Sequence, residues 1–473
     1  MTITDFLRFM HQNYAVFGVE LLLLCGLLVF FVLELLWPKA PSSHTTHLLA
    51  LVFWILVCIL SFWAFGLNHT ELSLVLGNGF FEVNSGSLVW KRVLCAVMLF
   101  SALVIYSEQK KYTSFWSLQV LLCALLLCAC LLPVCKHWLP LFFILGTLSL
   151  FSYGVLGWYN PAQASEALKP FILQGMAALA LSIFGLSIWL SETHTFFIVA
   201  NHHTSVSLGF CVAWLLLLAV FWLKLGLLPF HAWVQAVFSY PPSGLLAAML
   251  NVPKIALFSA LLPLFKVFSQ GSVWAAQVFW GMGFVSFLFG NALAFRATNL
   301  RTLIAYTSVA HSGLILMAIP LSINDEKTIW FMLLAHSLGL CALLCFEHLL
   351  CDEFTGWKSA PKWRFYALGL ALLSLSGLPP FSNFMAKFLF LIAFWEQYPG
   401  YTAFWLFLAI LFVLLLGVVV HIRPSFYLLG PKTETGTKLL PHNTKLLTLG
   451  ILFLLFSLVF FLSPDWLWRA LMI

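Results

Sequence analysis

Charge is what this sequence has least of. Only 8% of its 473 residues are Asp, Glu, Lys or Arg, against 62% hydrophobic, whereas a soluble domain is about a quarter charged. That scarcity excludes water as the solvent for most of the chain. Catalytic signatures are missing as well: there is no phosphate loop, dinucleotide Gly motif, haem ligand pair at adjacent depth or Ser-His-Asp set. The chain is therefore expected to carry no catalytic residue, cofactor or metal of its own, and to move something rather than transform it. Its cysteines lack ligand spacing. Cys25, Cys58, Cys123, Cys211 and Cys341 lie inside apolar runs, and Cys128 and Cys130 have no His nearby, so they read as small apolar residues in lipid or helix contacts. A net charge of +7 points to no nucleic-acid partner, because the basic residues are scattered singly rather than gathered on one face. No cleavable leader is expected, since the first apolar run, Tyr14 to Trp37, is of spanning length and lacks a small-residue cleavage site.

What the sequence has instead is one apolar run after another, each near the ~20 residues that a bilayer-spanning helix needs. The expected fold is an all-α polytopic membrane protein, a single integral domain over 1–473 with about fourteen transmembrane helices. The first seven spans are Tyr14 to Trp37, Leu48 to Leu67, Ser87 to Tyr106, Ser114 to Val134, Trp138 to Trp158, Pro170 to Leu190 and Ser205 to Val237. The other seven are Ser243 to Phe265, Val273 to Phe295, Leu300 to Ile319, Thr328 to Leu350, Phe365 to Glu396, Tyr401 to Ile422 and Leu446 to Leu462. Cytoplasmic loops collect Lys and Arg. Gaps after odd-numbered spans hold Lys39, Lys110, Lys111, Lys169, Arg296, Arg301, Lys358, Lys362, Arg364, Arg423, Lys432, Lys438 and Lys445. The other gaps and the termini hold Arg8, Lys91, Arg92, Lys136, Lys266, Lys327 and Arg469. Both termini are expected on the outer side.

Lys224, Lys254 and Lys387 fit no loop, because they lie within apolar spans. An amine at the bilayer centre costs about 2.5–3.5 kcal/mol on insertion scales, so each demands a partner, water or neutralisation. Removal from water makes such an amine easier to deprotonate, and its long stem can swing between neighbours. Lysines on adjacent helices could thus relay protons. For Lys224 the alternative is snorkelling to an interface; for Lys254 and Lys387 it is a purely structural role. Histidines carry protons too. His311 and His336, each inside an apolar span, read either as carriers or as hydrogen-bonded packing residues, and His231 either caps freed carbonyls or joins the relay. Glu20, Glu34 and Glu347 lie near span ends, from which they can reach headgroups, Glu20 being the deepest.

The seventh and twelfth spans are too long for one straight crossing. Each is interrupted within a similar phrase, Gly226-Leu-Leu-Pro-Phe230 and Gly377-Leu-Pro-Pro-Phe381, where Pro229, Pro379 and Pro380 remove backbone donors and break the helix. Phrases five spans apart sit in helices that cross in opposite directions, the mark of an inverted repeat. Irregular backbone at membrane depth needs protein or water around it, so each break predicts a hydrated cavity.

The stretch Lys224 to Phe258 resembles the antiporter-like membrane subunits of respiratory complex I (NADH-quinone oxidoreductase), and among them is most similar to subunit N, the bacterial counterpart of mitochondrial subunit 2. Asn299 to Gly313, Leu373 to Phe388 and Ser165 to Gly175 add to the resemblance. It implies a fourteen-helix fold with two inverted five-helix repeats, 114–265 and 273–422. It also implies a place in the bacterial inner membrane among the other membrane-arm subunits, with flavin, iron–sulfur clusters and quinone in partner chains. Lys224, Lys254 and Lys387 match the family's seventh-, eighth- and twelfth-helix lysines, and His311 a tenth-helix position, all part of a hydrophilic axis that carries protons. One departure stands out: where the family has a fifth-helix glutamate beside the seventh-helix lysine, this chain has Gly146, and an acid after the PFHxW phrase is replaced by Ala236. Either Lys224 is neutral most of the time, or another acid such as Glu108 or Glu166 substitutes, or coupling to the neighbouring subunit is altered. The competing readings are an Mrp-type cation/proton antiporter subunit, a membrane-hydrogenase subunit, or a non-conducting structural subunit of the membrane arm.

Overall fold

The protein is described by a computed structural model that covers residues 3–37, 44–63, 74–76, 79–108, 114–159, 161–198, 207–269, 274–322, 325–349, 354, 362–398, 400–426 and 443–465. Of the loop cations used to orient the chain, Lys39, Lys110, Lys111, Lys358, Lys432, Lys438 and Arg469 lie outside these residues, as do the side chains of Arg8 and Lys362. The chain runs α1 (Ile3–Leu36), α2 (His44–Trp63), a hairpin of β1 (Leu74–Leu76) and β2 (Phe81–Val83), α3 (Ser85–Glu108), α4 (Phe115–Leu131), α5 (Trp138–Tyr159), α6 (Pro161–Thr193), α7 (Leu208–Leu225) and α8 (Ala232–Phe238). It continues as α9 (Ser243–Ser269), α10 (Trp274–Phe295), α11 (Leu300–Ala318), α12 (Lys327–Glu347), α13 (Lys362–Ser376), α14 (Ser382–Gln397), α15 (Tyr401–Phe426) and α16 (Thr444–Leu462).

Among the described residues 12 helices are long and apolar enough to cross a bilayer. The two expected spans beyond these are α11 and the pair α13–α14, which the break at 377–381 divides into pieces. Helix α6 starts at Pro161 and carries Pro170 inside it, earlier than the Pro170 start expected from hydropathy. The β1–β2 hairpin, paired from Leu74↔Val83 to Leu76↔Phe81, was not anticipated; its short β-branched and apolar runs lay in a gap between spans.

The middle of the bundle is α9 and α12. Their apolar windows are 94% and 100% buried inside the protein, against 28% for α2, α6 and α15, which leaves the latter at the periphery of the bundle. With lipid on the outside, apolar contact alone gives helices no reason to associate, and close backbone approach takes over. Small residues supply it. A Cβ on Gly290 would fall 2.6 Å from the Ala310 nitrogen, and one on Gly313 2.6 Å from the Gly283 oxygen, so α10 and α11 meet backbone to backbone. Gly244 lets α9 approach α3 in the same way, within 2.8 Å of Ile105 backbone atoms.

Both proline phrases break their helices. Gly226 closes α7 in the left-handed conformation (φ 65, ψ 32), and Gly377 (φ 78) does the same after α13. Such a glycine terminates a helix without a Cβ penalty. The freed backbone groups find side-chain partners: the Trp233 indole donates to the Leu223 carbonyl (3.1 Å), and Leu228 N–H donates to Ser286 Oγ (3.1 Å). At the second break Asn383 donates to the freed Ser374 carbonyl and, across to the unbroken α12, to that of Ala335 (3.0 Å each), while Ser382 N–H donates to Ser457 Oγ (3.1 Å). Carbonyl capping at the first break thus falls to Trp233, and His231 Nδ1 has no hydrogen-bond partner among the described residues.

Candidate functional site

Lys224 occupies the last turn of α7, immediately before the first break. Its amine donates to Ser149 Oγ (2.6 Å) and the Leu145 carbonyl (3.3 Å) of α5. Both acceptors lie well inside a 22-residue helix, so this lysine does not snorkel to an interface. Lys254, in the middle of α9, donates to Ser308 Oγ (2.6 Å) and the Ser308 carbonyl (3.3 Å) of α11. Pro253 precedes it within the helix. Lys387, in the second turn of α14, reaches back across the break to the Ser376 carbonyl, the last residue of α13. Gly377 makes this approach possible, because a Cβ there would lie 2.8 Å from the Lys387 amine.

Two cavities hold these groups. The first, of about 60 Å³, is lined by Ser149, Ser152, Gln174, Lys224, Lys254 and Ser308 among others. A water needs roughly 10–15 Å³ of such space and polar partners, so several waters fit. The second, about 30 Å³, is lined by Asn291, Thr307, His311, His336, Lys387 and His421 with apolar neighbours. Helix α11 is the shared wall: Ser308 faces the first cavity, Thr307 and His311 the second. His311 and His336 stack at 3.7 Å between ring centroids, 9° from parallel. His231 is not among the residues lining either cavity; its ring lies 6.5 Å from that of Tyr306.

Several polar groups belong to this arrangement that the sequence reading did not single out. Serine is ordinary in an apolar run, so Ser149 and Ser308 gave no signal. His421 stands two residues from Arg423 at a span end, where a polar residue is ordinary; it is buried, hydrogen-bonded through Nδ1 to the Gly417 carbonyl (2.7 Å). Asn291, buried in α10, was legible as a lone amide in a hydrophobic segment.

Away from the cavities, ions expected at the membrane surface are instead paired. Lys91 and Glu20 meet at 2.5 Å with side chains only 4% and 8% exposed, and Arg92 beside them is fully buried. Lys91 lies over the Phe17 ring of α1 and Arg92 over the Phe62 ring of α2, and nearby Val83 and Phe81 of the unanticipated hairpin pack with Leu88, Val134 and Phe17. Arg301 pairs with Glu347 and with the Pro241 carbonyl, and Ser243 donates to Glu347 (2.9 Å). Glu108 accepts from the backbone N–H groups of Ser243 and Gly244 (3.2 Å each) at the start of α9, where a helix N-terminus favours an anion. Glu34 accepts from Ser117 N–H (3.1 Å). Glu20 and Glu347 therefore do not reach headgroups. No cluster of His, Cys, Asp or Glu suited to a metal ion occurs among the described residues.

Comparison with known proteins follows the same lines. The profile described as NADH:quinone oxidoreductase/Mrp antiporter, transmembrane, matches residues 135–415. NADH-quinone oxidoreductase subunit N 2 of Thermodesulfovibrio yellowstonii is 25% identical over 458 residues, 91% of this chain and 95% of the relative. Among solved structures, a chain of respiratory complex I from Thermus thermophilus superposes with a TM-score of 0.79 at 19% identity, over 96% of this chain and 99% of the other. A chain of an archaeal membrane-bound sulfane sulfur reductase gives 0.81 at 16% identity, over 97% and 96%. At such identities the structural likenesses show a common fold.

Proposed function

The chain belongs to the NADH:quinone oxidoreductase/Mrp antiporter transmembrane family, and from that premise we propose that it is the membrane-arm subunit N of an NADH:quinone oxidoreductase, translocating protons through its buried lysines. The single observation carrying the relay is the pair of water-sized cavities holding Lys224 and Lys254 on one side of α11 and Lys387 on the other. Protons would pass among Lys224, Lys254 and Lys387 by way of cavity water, Ser308 and the stacked His311 and His336. His231, beside the break at Pro229, is left as a peripheral member, and Pro229, Pro379 and Pro380 break the spans that carry Lys224 and Lys387. Lysines suit this task because each holds or gives up a proton depending on the water and charge beside it, without changing its covalent state.

In this reading 114–265 and 273–422 are the two inverted repeats. Both termini lie outside the inner membrane, and the other membrane-arm subunits are the partners. Flavin, iron–sulfur clusters and quinone belong to partner chains whose redox chemistry drives the transfer. Subunit N is preferred to an Mrp antiporter or hydrogenase component because the full-length relative named above carries that name. The test is Lys254→Met or Lys387→Met in assembled complex. Protons pumped per NADH oxidised are expected to fall severalfold, and unchanged coupling with intact assembly overturns the relay.

A further inference from the structure

Between α5 and α6 a recess of about 400 Å³ opens on the outer face of the bundle. Its walls are apolar, with Phe142, Leu150, Ile172 and Met176, and Lys224 is the charged group among its lining residues. The recess continues the site, since Lys224 and Ser149 also line the first cavity. Gly146 stands in its wall, and a Cβ built there meets nothing within 4 Å.

The Lys224 amine is held by two neutral oxygens, and no carboxylate among the described residues pairs with it. The acids that could have answered it are committed elsewhere. Glu108 is spent on the start of α9, Glu347 on Arg301, and Glu166 on Lys169 in a pair whose carboxylate side chain is 79% exposed. A protonated amine at membrane depth is costly without a counter-charge. The recess offers a way for one to arrive from outside. Its accessible small residues, Gly146 and Ser149, allow close approach of another helix. Flanking it are Phe143, Leu150, Leu173 and Met176, each more than 60% exposed.

We propose that a transmembrane helix of a neighbouring chain seats against the α5–α6 recess and lends a carboxylate to Lys224, in the space that Gly146 leaves open. The proposal rests on Lys224 being a working member of the relay. Lipid meets half of the requirement: an acyl chain would fill the apolar walls but bring no charge. A headgroup cannot reach, because Leu145 and Ser149 lie at least ~10 Å along the axis from either end of α5 at 1.5 Å per residue. A helix with one Asp or Glu facing the recess meets both.

The purified, assembled complex provides the test. A membrane-permeant carbodiimide condenses an amine with a carboxylate it touches, so treatment followed by mass spectrometry should yield a Lys224 isopeptide to an Asp or Glu within a transmembrane segment of a second chain. Lys224→Arg should abolish it. In a separate variant, a benzophenone side chain at Leu150 should capture that same segment on illumination. Benzophenone adducts with lipid alone, or with a protein segment that bears no acid, overturn the proposal. Failure of the relay itself would appear differently, as unchanged pumping in Lys254→Met with the Lys224 cross-link still present.

Discussion

At the α7–α8 break the lysine precedes the left-handed glycine and reaches away from the break, across to Ser149 and Leu145 of α5. At the α13–α14 break the lysine follows the glycine and turns back, capping the Ser376 carbonyl that the break released. The backbone devices are alike: a left-handed glycine, a proline phrase and side chains that take up the freed groups. The energetic consequences differ. Lys224 can shift while Trp233 keeps its break sealed. Lys387 cannot move without uncovering a carbonyl that cavity water would then have to satisfy. One lysine is a guest at its break, the other is part of it, so substitutions around the second should be the more damaging.

Gly377→Val should produce the largest effect. The new residue would be forced to φ 78, a conformation costing L-residues about 1–2 kcal/mol, and its Cβ would stand only 2.8 Å from the Lys387 amine. Loss of assembled complex on a native gel, or loss of pumping in what assembles, is expected; wild-type levels of both would break the comparison.

Next come the two side chains that seal the breaks. Asn383→Leu removes donors to Ser374 and Ala335, and an unsatisfied buried acceptor costs about 1–3 kcal/mol. Trp233→Phe removes one indole donor to Leu223 while keeping the ring that stacks on Phe171 at 4.6 Å, for about 1 kcal/mol. Thermal unfolding of the detergent-solubilised chain should rank Asn383→Leu below Trp233→Phe, and the reverse order would mean that the first break is the more fragile.

How much of this could be read from residues alone depended on contrast. Lys224, Lys254 and Lys387 stood out because a charge inside an apolar run has no ordinary explanation, and Gly226 to Phe230 and Gly377 to Phe381 because proline in a long span forces a break. The Lys91–Glu20 pair did not stand out: each ion sat near a span boundary, where charge is normal, and their meeting depends on how α1 and α3 pack. Which acceptor each amine finds was equally hidden. Ser308 lies 54 residues from Lys254, and Ser149 75 from Lys224, separations set by helix packing rather than by any local period. The stacking of His311 on His336 likewise needs the α11–α12 contact to exist first.

The smallest effect is expected at Gly146, and its smallness separates the two glycines. Gly377 is fixed by φ and by a lysine within contact, whereas Gly146 sits in regular helix with nothing within 4 Å of its missing Cβ. Gly146→Ala should therefore introduce no clash, and removing a mid-helix glycine lowers the conformational cost of the helix by up to ~1 kcal/mol. Thermal unfolding of the isolated chain should rise slightly or stay put. A clear drop would mean that α5 and α6 approach each other at this level more tightly than the recess allows. It would also leave no room there for a side chain from outside, so the same measurement bears on whether the recess beside Gly146 can admit a group to Lys224.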